Sequence, residues 1–106
     1  MDKSAAVRIA GSFARAIEAR GITLHKLVLY GSCANSTCHE GSDIDLVVIS
    51  KDFDGKSYWE RINVLSDAIY EVFAPIEAVA MTPDEWERGD SDISRYAMHG
   101  DVVYSA

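Results

Sequence analysis

The chain has 106 residues, enough for one domain around a single core, expected to span 1–106. Its 48% hydrophobic and 25% charged residues suit a folded globular protein, and no apolar run is long enough to cross a bilayer. Ten Lys and Arg against 17 Asp and Glu leave a net charge of −7, a field that repels a phosphate backbone. Direct nucleic-acid binding is therefore disfavoured, while a basic partner or bound divalent cations are favoured. The opening stretch "MDKSAAVRIAGSFARAIEARG" is too charged for a signal peptide, so the cytoplasm is the expected compartment. Two cysteines, Cys33 and Cys38, are too few for a disulfide framework.

Ile9, Phe13 and Ile17, with Ala6, Ala10 and Ala14 beside them, predict an amphipathic helix of about four turns closed at Gly21. "KLVLYG" (26–31) reads as a short buried strand that stops at glycine, followed by a polar stretch over 32–42. "DIDLVVIS" then reads as a central strand, apolar on both faces once past its acids, and "KDFDGK" as a loop. Ser57 and Glu60 form a capping box for a helix whose core stripe is Ile62, Leu65, Ile69 and Phe73, with Pro75 past its end. "IEAVAM" (76–81) is the third strand. Thr82-Pro83-Asp84-Glu85 opens a short helix ending at Gly89, another helix runs from Asp92 to His99, and "DVVYS" is a closing strand. The expected fold is α/β (α+β): a mixed sheet of about four strands with flanking helices.

Asp43 and Asp45 stand one residue apart at the head of the central strand. Strand alternation points both to one face, with Ile44, Leu46 and Val48 on the other. Such a pair repels itself unless something positive sits between, and magnesium suits a carboxylate pair that shares it with substrate phosphates. A lone D-x-D is weak evidence. Gly31-Ser32 followed by ten residues and then D-x-D arises by chance in on the order of one such chain in a thousand. The glycine lets backbone N–H groups approach an anion, Ser32 adds a hydroxyl, and "SCANS" is expected to begin a short helix whose N-terminus faces phosphate. A phosphate site beside a carboxylate pair describes metal-assisted phosphoryl or nucleotidyl transfer.

"GSCANSTCHEGSDIDLVV" resembles the G-S-x10-D-x-D signature of the DNA polymerase beta-type nucleotidyltransferases, and the close of the chain, "YAMHGDVVYS", looks most like the minimal nucleotidyltransferase (MNT) branch. The resemblance implies two Mg²⁺ ions and transfer of NMP from an NTP, with ATP as the expected substrate, to an acceptor hydroxyl. Carried over, Gly31, Ser32 and the neighbouring Ser42 hold the nucleotide, and Asp43 and Asp45 ligate the metals. The family's third carboxylate falls to Glu77 in "PIEAVAM", where relatives usually carry aspartate; the competing reading is a solvent-facing strand glutamate. Many relatives also carry arginine where this chain has Cys33 and Asn35, which implies a weaker hold on the triphosphate. MNT proteins are commonly antitoxins paired with HEPN toxins, which implies a HEPN-type protein partner as the acceptor. Every assignable element builds the catalytic core, so presentation of the acceptor by another protein is expected.

Cys33, Cys38 and His39 match no usual zinc spacing, and His25 and His99 read as boundary residues. Trp59 and Trp86 are expected as core cover, with Trp86 the one that a partner surface would claim. The alternative to an enzyme is a catalytically silent module of the same fold that neutralises its partner by docking alone.

Overall fold

The structure, a computed structural model, describes residues 2–39 and 41–106. Asp2 accepts a hydrogen bond from the Ala5 N–H at 2.8 Å and caps α1 (Lys3–Glu18), whose buried stripe holds Ala6, Ala10, Phe13, Ala14 and Ile17. Small alanines between the large residues let this helix lie close on the sheet. The chain turns back through Gly21 (φ +87°) into β1 (Lys26–Tyr30). After the polar loop come β2 (Ile44–Ile49), α2 (Tyr58–Val72), β3 (Ile76–Met81), α3 (Pro83–Arg88), α4 (Asp92–Ala97) and β4 (Asp101–Ser105). Both expected capping boxes, Ser57/Glu60 and Thr82/Glu85, are formed.

The four strands lie in the order β3-β2-β1-β4. β2 runs antiparallel to β1 and parallel to β3, and β4 is antiparallel to β1 with a register shift at Leu27/Val28. α1 and α2 cover one face, where Phe13 and Ile17 meet Leu27, Leu29, Ile44, Leu46 and Val48. The other face carries a smaller core of Val28, Tyr30, Val47, Ile49, Met81 and Ala97, flanked by Trp86 and Ile93. Because β2 is central, its residues are buried on both sides, which accounts for the unbroken apolar run that follows the acids.

Three local expectations are corrected. Residues 32–36 form turns rather than a helix: Ser36 takes φ +61°, a left-handed conformation that helical hydrogen bonding cannot pass through. Phe73 leaves the core stripe. The helix ends at Val72, and Phe73 is its left-handed cap (φ +56°), with its ring 88% exposed. Trp86 packs on the second core as expected of both tryptophans, whereas Trp59 is 70% exposed.

Candidate active site

Antiparallel β1–β2 pairing and parallel β2–β3 pairing bring the end of β1 and the starts of β2 and β3 to one edge of the molecule. The register places Tyr30 opposite Asp45 and Asp45 opposite Glu77, so three residues form a row across three adjacent strands. Neighbouring strands lie roughly 4.8 Å apart, so Asp45 and Glu77 project side by side from the face opposite α1 and α2. Asp43, two residues earlier, shares that side just ahead of the strand. Glu77 stands beside Asp45 and is exposed to solvent.

The charges interact as that geometry requires. Burial, followed by the Asp43 charge, raises the pKa of Asp45, while a hydrogen bond shared with Glu77 partly offsets the rise. Glu77 is exposed, and its pKa is raised first by Asp43 and then by Asp45. Two acids whose ionisation is hindered, with the Asp43 charge beside them, suit a cation. The donor set fits magnesium, which takes one or two carboxylates plus substrate phosphate oxygens rather than a complete protein cage. Among the described residues, no three His, Cys, Asp or Glu side chains are grouped closely enough to hold a metal ion by themselves.

Gly31 completes the arrangement. It takes φ +74°, and a Cβ built on it falls 2.3 Å from Asp45 Oδ2. Any side chain here occupies the space that the Asp45 carboxylate fills.

The nucleotidyltransferase domain model matches residues 12–80, which span β1, the Gly-Ser loop, both acids and Glu77. The chain belongs to this family. No curated protein matches the nucleotidyltransferase sequence at a significant level. Among solved structures, it is similar to a candidate nucleotidyltransferase from Sulfolobus solfataricus, with a TM-score of 0.74 and 14% identity over 97% of this chain and 83% of the other. It is also similar to a chain of a toxin–antitoxin structure determined with AMP-PNP, with a TM-score of 0.65 and 17% identity over 91% of this chain and 73% of that one. At these identities the likeness shows a shared fold.

In this nucleotidyltransferase domain the loop after Gly31 is tied down by its own groups. The Ser32 carbonyl accepts from both the backbone N–H (2.9 Å) and the hydroxyl (3.0 Å) of Thr37. Ser42 is nearly buried, and its hydroxyl accepts from the His39 N–H at 3.0 Å, so it shapes the approach to Asp43. Cys33 is fully buried, and its thiol donates to the Asp43 carbonyl at 3.8 Å. Burial and a hydrogen bond with Cys38 push the Cys33 thiol up to about 11. Position 33 therefore faces the core on this backbone, whereas Asn35 is exposed at the site's margin.

Proposed function

We propose that this nucleotidyltransferase is magnesium-dependent and transfers AMP from ATP to a hydroxyl of a protein partner, as the antitoxin of a HEPN/MNT pair. The row Tyr30–Asp45–Glu77, closed by a glycine that only an absent side chain allows, carries the reading. Bound magnesium would supply charge neutralisation for the triphosphate and the developing oxyanions. Asp43, Asp45 and Glu77 would hold it, and Gly31 and Ser32 would present the backbone and a hydroxyl to the phosphates. The acceptor oxygen forms a bond to the α-phosphorus, the bond to the β-phosphate oxygen breaks, pyrophosphate leaves, and the hydroxyl proton passes to water.

Two observations support a protein as acceptor. The net charge of −7 steers a basic partner toward the domain. On α2, Trp59, Asn63, Ser66 and Tyr70 follow one another at helical spacing along the solvent face, and Phe73 extends that stripe. Tyr70 is 82% exposed, and Phe73 lies just ahead of the strand that carries Glu77. Exposed aromatic rings at the acceptor edge of a site suit a protein interface. A bulky residue at positive φ costs about 1–2 kcal/mol relative to glycine. Phe73→Gly is accordingly expected to raise the melting temperature of the free protein while weakening capture of the partner; a rise with undiminished capture removes Phe73 from the interface.

A docking-only module is the second reading, favoured by Asn35 standing where relatives carry a cation. Co-expression with a HEPN-type partner, followed by intact mass measurement with Mg²⁺-ATP, separates the two. Transfer adds AMP residues to the partner, and Asp43→Ala abolishes the addition. Full neutralisation with no added mass supports docking alone.

A further inference from the structure

The loop between β1 and β2 carries both cysteines of the chain, Cys33 and Cys38, and its fold brings them together. The Ser32 carbonyl accepts from the N–H and the hydroxyl of Thr37, which closes a turn at the two residues that immediately precede the cysteines. Within it the Ser36 N–H donates to the Cys33 carbonyl at 3.4 Å, and the left-handed backbone of Ser36 reverses the chain. Cys33 belongs to the main core, and Cys38 packs against that same cluster. The two thiols are in hydrogen-bond contact.

The pair has the asymmetry of a redox couple. Cys38 is partly exposed, whereas Cys33 is fully buried. An oxidant in solution therefore reaches Cys38 first, and Cys33 stands where a resolving thiol has to be. Cysteines that serve only as small apolar filler have no need to meet through sulfur. A bond across so short a loop restrains little of the unfolded chain, so its effect is local rather than a general gain in stability.

That local effect falls on Asp43. The Cys33 thiol gives its hydrogen to the Asp43 carbonyl at 3.8 Å, a tie between the turn after Gly31 and the head of β2. A disulfide sulfur has no hydrogen to give. Oxidation of the pair removes the tie.

We propose that Cys33 and Cys38 are a redox modification site, forming a reversible disulfide that loosens Asp43 and weakens the hold on magnesium nucleotide. The coupling to nucleotide rests on the nucleotidyltransfer reading; the disulfide does not. The oxidant is a hydroperoxide. The Cys38 sulfur attacks one peroxide oxygen, the O–O bond breaks and water leaves, giving a sulfenic acid. The Cys33 sulfur then bonds to the Cys38 sulfur, the S–O bond breaks, and the Cys33 proton departs with hydroxide as a second water. Two thiols are oxidised as one peroxide is reduced, and a dithiol reverses the bond by exchange.

The test treats the folded protein with hydrogen peroxide and then with dithiothreitol. Peptide mass mapping is expected to show Cys33 joined to Cys38 with the loss of two hydrogens, regained on reduction. Calorimetric titration is expected to show Mg²⁺-ATP binding weakened about tenfold in the oxidised protein and restored in the reduced one, the low end of what losing an outer partner of a metal ligand costs. Cys38→Ser is expected to keep its affinity through the same treatment. Cys33→Ser is expected to stop at the Cys38 sulfenic acid, which dimedone traps. Absence of the Cys33–Cys38 bond in treated wild type overturns the modification site. A bond that forms with no change in Mg²⁺-ATP affinity overturns its coupling to Asp43. Reduced wild type that binds no Mg²⁺-ATP removes the transfer reading and the coupling with it, while the mass map still decides the disulfide.

Discussion

Asp45→Asn is expected to reduce AMP transfer on the order of a thousandfold or more while making the ligand-free protein more stable at neutral pH. The two effects share one cause. Asp45 is raised by burial and by Asp43, and Glu77 by Asp43 and Asp45. An acid whose folded-state pKa is raised binds its proton more readily folded than unfolded. Its stabilising contribution is therefore present below the ordinary carboxylate range and is lost as pH rises through the raised folded value. Wild-type protein freed of divalent ions should accordingly lose melting temperature between about pH 4 and neutrality, and Asp45→Asn should flatten that decline. Mg²⁺-ATP should raise the melting temperature of the wild type and not of the variant. A variant that is destabilised at neutral pH, or that retains the ligand-induced rise, would contradict a repelling acid cluster awaiting a cation.

Gly31→Ala should be nearly as damaging to activity, by a different route. At φ +74° an alanine costs about 1–2 kcal/mol, and its Cβ lands 2.3 Å from Asp45 Oδ2. That oxygen ends a short side chain that rotates away more readily than backbone moves, so the domain should still fold. The rotation removes the carboxylate from the row it forms with Glu77, so transfer should fall far more than the modest drop in melting temperature implies. Melting curves and transfer rates measured side by side check this. An active, folded Gly31→Ala protein would show that Asp45 acts from another position.

How much of this was legible in the sequence follows from the range over which each feature is encoded. Gly31, Ser32, Asp43 and Asp45 belong to one stretch in which strand parity alone sets the facing of the acids. Glu77 was legible as an acid inside an apolar strand, and the parallel register then set it opposite Asp45. Helical periodicity misplaced Phe73, because the stripe through Ile62, Leu65 and Ile69 continues in sequence one step beyond the point where the helix stops. The expected helix at 32–36 failed at Ser36, a residue whose left-handed backbone nothing in its own chemistry announces as glycine would. The cavity beside Gly31 was out of reach altogether. Tyr96, His99 and Asp101 meet Gly31 only because β4 pairs with β1, setting Asp101 opposite Leu29, a long-range register that no local pattern carries.

The most direct measurement of the central claim uses ATP labelled at the α-phosphate and, in parallel, at the γ-phosphate, incubated with Mg²⁺ and the partner complex. Attack at the α-phosphorus is expected to leave the α-label on the partner protein and to release the γ-label with pyrophosphate, with Asp43→Ala blocking both outcomes. Label reaching the partner from the γ-position, or no α-label reaching it at all, would contradict nucleotidyl transfer at the Asp43–Asp45–Glu77 site.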